Sequence, residues 1–112
     1  MQMTVSEVAR SVVTIAFEGL FDAVGAAEID AEFSAAAAAN NGIVVDLSGV
    51  GFLASVGLRS LMNGAKIVTR QGGRLVLLDP IEEVEKVLEV TGLTALLPVY
   101  HDRARAIAAV SA

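Results

Sequence analysis

The stretch Ile43-Val44-Val45-Asp46-Leu47-Ser48-Gly49-Val50-Gly51-Phe52-Leu53-Ala54-Ser55-Val56-Gly57-Leu58-Arg59-Ser60-Leu61 decides the fold. It opens as an apolar, β-branched run with no helical period, the mark of a buried strand. The pattern breaks at Gly49 and Gly51 and passes Phe52 and Leu53. A helix is expected from near Ser55, because Leu58, Leu61, Met62 and Ala65 are apolar at i, i+3, i+4 and i+7. A buried strand that delivers a hydroxyl to a helix N-terminus is a candidate functional site.

Toward the N-terminus, Met3 to Val8 and Val12 to Phe17 are rich in Val, Thr and Ile and predict two strands. Gly19 is expected to end the second, with Gly19-Leu20-Phe21-Asp22 as a turn whose aspartate caps the next helix. That helix runs from Ala23 to about Asn40, with Ile29, Phe33, Ala36 and Ala37 on one face. Asn40-Asn41-Gly42 stops it, since Asn and Gly tolerate the left-handed conformation at a helix end.

Toward the C-terminus, the helix from Ser55 runs to about Arg70, with Arg59, Ser60, Asn63 and Lys66 on its solvated face. Arg74 to Leu78 reads as a further buried strand. Asp79-Pro80-Ile81-Glu82 predicts a sharp helix start, with Asp79 as cap and Pro80 in the first turn. Ile81, Val84, Val87 and Leu88 form that helix's apolar face. Val99 and Tyr100 give a short strand near an edge, because Pro98 lacks a ladder donor. Asp102 then caps a last helix with Ala104, Ile107, Ala108 and Ser111 inward. The order β-β-α-β-α-β-α-β-α predicts an α/β fold: one small domain over residues 1–112, a mixed, mostly parallel sheet of about five strands and about four helices.

Composition bounds the function. The chain has 112 residues, 54% of them hydrophobic and 19% charged, enough for a single core and too apolar for disorder. No apolar run reaches the roughly 20 residues of a spanning helix, and no basic region precedes an apolar one at the start, so a cytoplasmic protein without membrane insertion is expected. The absence of cysteine excludes disulfides and thiolate metal sites, and the single His101 argues against a metal or paired-histidine centre. A net charge of −5 without a Lys/Arg cluster disfavours nucleic acid as partner.

Catalytic signatures fail one by one. Gly51 to Gly57 does not fit the Gly-x-Ser-x-Gly elbow, and a triad would need His101 as its sole base. The glycines at 49, 51 and 57 fit neither a dinucleotide fingerprint nor a phosphate loop. His101 reads as a surface or cap residue. No catalytic residue, cofactor site or metal site is expected, and the chain is read as a non-enzyme.

The run Asp46-Leu47-Ser48-Gly49-Val50-Gly51-Phe52-Leu53-Ala54-Ser55-Val56-Gly57-Leu58 resembles the signature of STAS domains. It is similar in particular to the bacterial anti-sigma factor antagonists, with the usual form Asp-Leu-Ser-x-Val-x-Phe-x-Asp-Ser-Ser-Gly-Leu. Gly19-Leu20-Phe21-Asp22, Gly72-Gly73-Arg74-Leu75 and Thr91-Gly92-Leu93 resemble further family features, in the same order along the chain. Ala54 stands where the pattern has aspartate, and Val56 where it has a second serine. The resemblance implies a transcription regulator that binds an anti-sigma factor, commonly a serine/threonine kinase, and so releases a sigma factor. It implies a kinase phosphorylation site at Ser55, a phosphatase that reverses it, and a partner surface of Asp22, Phe52, Leu53, Ala54, Ser55, Val56, Gly57 and Arg59.

The residues allow plainer roles as well. Ser55 and Asp22 are both good helix caps, Arg59 a good solvated helix residue, and Phe52 or Leu53 good core. Gly57 would let a partner approach the Ser55 hydroxyl closely. The apolar patch around Phe52 would permit a dimer. The alternative function is an accessory or regulatory subunit of a membrane transport complex, in which STAS domains also serve.

Overall fold

A computed structural model describes residues 1–111. The elements are β1 (Gln2–Ala9), β2 (Val12–Phe21), α1 (Ala23–Ala39), β3 (Gly42–Leu53), α2 (Ser55–Arg70), β4 (Arg74–Leu78), α3 (Glu82–Val90), a 3-10 turn (Leu93–Ala95), β5 (Val99–Tyr100) and α4 (Arg103–Val110). They form one sheet in the order β1-β2-β3-β4-β5. β1 runs antiparallel to β2, and β2 to β5 run parallel. The mixed, mostly parallel sheet expected from the element order is present.

Two apolar clusters sit on opposite faces of that sheet, as the side-chain alternation of a strand requires. The larger joins Ile15, Phe17, Ile43, Val45, Leu47 and Leu77 to α1, α2 and α3. Phe17 lies at its centre, 5.2 Å from the Phe21 ring and 5.3 Å from that of Phe33, both in tilted or edge geometry. The smaller cluster packs Val12, Val44, Val76 and Leu78 against Ala106 and Val110 of α4. Successive parallel strands joined by crossovers of one hand put α1, α2 and α3 on the same face. Among the described residues, only α4, which follows the last strand, covers the other.

Several boundaries differ from the sequence reading. β3 does not end at Gly49 but continues to Leu53, and β2 does not end at Gly19 but continues to Phe21. The two strands stay paired from Val12–Gly42 to Phe21–Leu53, while pairing of β3 with β4 stops at Asp46–Leu78. Glycine here marks irregularity within a strand rather than its end. Register shifts fall between Ala16 and Glu18 and between Gly19 and Leu20. Gly19 has φ +124°, a conformation that a side chain would strain.

Other expected ends also work differently. Asn40 is extended, at φ −135°, so α1 does not stop through a left-handed residue. Its side-chain amide instead donates to the Ala36 carbonyl at 2.9 Å. Asp79 does not cap α3, whose N-cap is Ile81. Asp79 takes φ +50° and its carboxylate lies 3.2 Å from His101. In α4 the inward residues are Ala106 and Val110; Ala104, Ala108 and Ser111 are exposed. Ser60 of α2 is buried rather than solvated, and its hydroxyl donates to Asp30 of α1 at 2.6 Å. Asp102 does cap α4, accepting from the Arg105 amide at 3.0 Å.

His101 joins three elements. Its ring nitrogens lie 3.2 Å from Asp79 and 3.0 Å from Glu85 of α3, and the hydrogen bond with Glu85, then that with Asp79, raises its pKa above the ordinary 6.5. A raised folded-state pKa stabilises the fold below the unfolded value, and that contribution is lost as pH climbs through the folded value. His101→Ala is therefore expected to lower Tm more at pH 5.5 than at pH 8.5, measured by thermal denaturation at the two pH values; an equal loss would show that the imidazole acts without its charge.

Candidate partner-binding site

The paired ends of β2 and β3 each lead directly into a helix, so α1 and α2 start side by side at one end of the molecule. Asp22 caps α1, accepting from the Gly25 amide at 2.8 Å. The carboxylate is thus occupied in the role that the sequence offered as its plainer alternative, while remaining half-buried at the edge of the surface. At the second helix the expected cap is displaced by one residue. Ala54 occupies the N-cap position and has no side chain to bond the amides, and Ser55 is the first helical residue.

Ser55 is exposed, and its hydroxyl makes no hydrogen bond to another described residue. Leu58 donates the first intrahelical bond, to Ala54 at 3.0 Å. The amides of Ser55, Val56 and Gly57 precede it and have no acceptor within the helix. The positive end of the helix dipole therefore lies at the serine. An uncapped start of this kind is less stable by about 1 kcal/mol than one capped by Ser or Asp. It also leaves the hydroxyl free in orientation.

Several large apolar side chains are exposed around Ser55. Phe52 is 53% exposed, and its cross-strand partner Leu20 is 55% exposed. Val24 in the first turn of α1 and Val56 in that of α2 are exposed as well. Exposed large apolar residues gathered at one end of a small domain are unusual enough to require an explanation. Arg59 lies one turn beyond Ser55 on α2, exposed and within reach of the same face.

Two residues expected in this surface belong to the core instead. Leu53 is 4% exposed and packs in the larger cluster. Gly57 is buried against Phe21: a Cβ there would lie 2.5 Å from the Phe21 carbonyl oxygen and 2.7 Å from its ring. Its missing side chain admits the neighbouring strand, not a partner, so neither residue has a surface to present. Leu20 and Val24 were the converse omission. The signal for Leu20 was present, because Phe17, Gly19 and Phe21 share a strand face and leave Leu20 on the other.

Electrostatics elsewhere fix the frame. Asp46 is partly buried on β3, which pushes its pKa up, but the Ser48 amide at 2.9 Å and the Arg103 guanidinium at 2.9 Å hold it below the ordinary 3.8. It ties β3 to α4 and anchors the strand just before the surface. Among the described residues, no three His, Cys, Asp or Glu side chains gather in a metal-binding cluster. No described helix is long and apolar enough to cross a membrane.

Comparison with known proteins adds an independent finding. The family described as Mlab, STAS domain matches residues 5–98. BtrV of Bordetella bronchiseptica, which carries the name anti-sigma factor antagonist, is 30% identical over 93 residues, covering 82% of this chain and 80% of that protein. An anti-sigma factor antagonist from Mycobacterium paratuberculosis is 26% identical and superposes with a TM-score of 0.86, covering 99% of this chain and 94% of that one. The Bacillus protein SpoIIAA in its phosphorylated form shares the fold, with a TM-score of 0.72, 23% identity, and coverage of 93% of this chain and 96% of that one.

The geometry separates capping from packing. Ser55→Ala is expected to change unfolding free energy by no more than about 0.5 kcal/mol, because the hydroxyl satisfies no backbone amide. Gly57→Ala, which forces a methyl group into Phe21, is expected to cost about 1–3 kcal/mol. Urea denaturation of the two variants tests both values; a loss of about 1 kcal/mol in Ser55→Ala would restore the serine as a cap.

Proposed function

This chain belongs to the STAS domain family, and from that premise we propose that it is an anti-sigma factor antagonist acting by reversible protein binding in the cytoplasm. Its partner is an anti-sigma factor, which it captures and so separates from a sigma factor. The observation that carries this reading is the exposed apolar set Leu20, Val24, Phe52 and Val56 around an uncapped helix start. Burying such side chains contributes roughly 25 cal/mol per Å² of apolar surface, so a partner that covers them gains its main driving force there. Arg59 and the half-buried Asp22 supply the polar rim that fixes orientation.

Regulation in this reading acts through Ser55. A partner that is also a serine/threonine kinase would phosphorylate the exposed hydroxyl, and a phosphatase would remove the group. Phosphate would bring about −1.5 to −2 charges into the centre of the apolar set. The free amides of the first turn would accommodate it, so the domain itself would not need to refold. The bound partner would have to desolvate that charge, and binding would weaken for this reason. The Bacillus relative SpoIIAA occurs in a phosphorylated form, which is the precedent for such a switch in this fold. Ala54 replaces an acidic neighbour of the family pattern, which removes one charge that would otherwise repel the phosphate.

The experiment is calorimetric titration of the chain with candidate anti-sigma factors, followed by variants of the surface. Phe52→Asp and Leu20→Asp are each expected to weaken binding at least about tenfold, the loss of one buried apolar contact at about 1.4 kcal/mol. Ser55→Asp is expected to weaken it as well, while Ser55→Ala binds as the parent does. Binding that survives both apolar variants would place the contact elsewhere; binding unaffected by Ser55→Asp would remove the switch. Stable co-purification with an integral membrane permease, in place of an anti-sigma factor, would favour the transport-subunit alternative.

A further inference from the structure

A second apolar feature lies away from Ser55, in the seam between α2 and the 3-10 turn Leu93–Ala95. One depression of about 270 Å³ is lined by Met62, Ala65, Lys66, Thr69, Arg70 and Leu96. Another of about 270 Å³ shares Thr69 and Leu96 with it and continues past Pro98 to Arg74. Leu96, which belongs to both, is 62% exposed, although the adjacent Leu97 is fully buried. The seam is therefore a groove with an apolar wall open to solvent.

Its charge is one-sided. Lys66 and Arg70 stand one helical turn apart beside the apolar wall. Among the described residues neither lies within ion-pair distance of an acid, whereas Lys86 pairs with Glu82 and Arg103 with Asp46. Two unpaired cations at one groove are notable in a chain of net charge −5. With Arg59, they form a basic ridge along α2 at positions 59, 66 and 70.

We propose that this groove binds a single-chain amphipathic carboxylate, of the medium-length fatty acid class. The alkyl chain lies along Met62, Ala65 and Leu96, and the carboxylate sits between Lys66 and Arg70. The first depression is slightly smaller than the roughly 300–1,000 Å³ of drug-sized pockets, which favours one short chain over a two-chain lipid. A nucleotide would need an array of donors and acceptors, and Thr69 is the only uncharged polar side chain among those that line the depression. The site is separate from the partner surface and does not depend on it.

The test is an NMR titration of the full chain with octanoate, far below micellar concentrations, and with octanol as the uncharged control. Saturable amide shifts are expected at Ala65, Lys66, Thr69, Arg70 and Leu96. Octanol, and octanoate added to the double variant Lys66→Glu/Arg70→Glu, are each expected to bind about tenfold or more weakly, the loss of charge-assisted contacts. Both substituted residues are exposed, and an unchanged spectrum elsewhere verifies the fold. Non-saturating shifts, shifts away from the groove, or equal affinity for octanol would overturn the proposal. So would concentration-dependent shifts in the groove without octanoate, which would assign it to a second copy of the chain. An acidic amphipathic peptide that binds there more tightly than octanoate would assign it to a protein partner, again against the proposal.

Discussion

The closure of β2 against β3 beyond the rest of the sheet is the constraint on which the architecture depends. The Ala54 amide donates to the Phe21 carbonyl at 3.0 Å, one step past the last paired residues. Gly57 lets the first turn of α2 settle directly onto that same Phe21. Phe21 in turn packs on Phe17, and Phe17 on Phe33 of α1. One strand end thus holds the starts of two helices at a common level. Without a glycine at 57, α2 would have to move outward, and Ser55 with it.

That closure explains why the surface is apolar and still orderly. Period-two alternation sends Phe17 and Phe21 inward, and the register shifts between β2 and β3 turn both Val50 and Leu53 inward while leaving Leu20 and Phe52 outward as neighbours. The outward pair rests on strand backbone rather than on a mobile loop. Rigid apolar anchors lose little conformational entropy when a partner covers them. A charge added at Ser55 would act on the same preformed surface, so a switch of the proposed kind would need no conformational change within the domain.

Much of this was legible in the residues and some was not. Strand and helix order followed from β-branched runs alternating with 3.6-residue periodicity, and both survive in the structure. The Gly49 and Gly51 breaks misled because a glycine in sequence signals either a strand end or an irregular strand, and only the partner strand distinguishes them. Asp79-Pro80 misled for a related reason: His101, distant in sequence, takes the carboxylate that local chemistry assigns to a cap. Burial of Leu53 and Gly57 could not be separated from exposure of Phe52, since all three depend on the register between β2 and β3. The basic ridge at 59, 66 and 70 is invisible as a cluster along the chain and emerges only at helical spacing.

The central claim is that the end of the β2–β3 pair, with the start of α2, captures the partner. Hydrogen exchange of the chain alone and bound to a candidate anti-sigma factor tests this most directly, because it reports coverage without altering any residue. Protection concentrated in segments 20–24 and 51–59 is the predicted result. Protection confined to β1, to α4 or to the α2 groove, with those two segments unchanged, would contradict it.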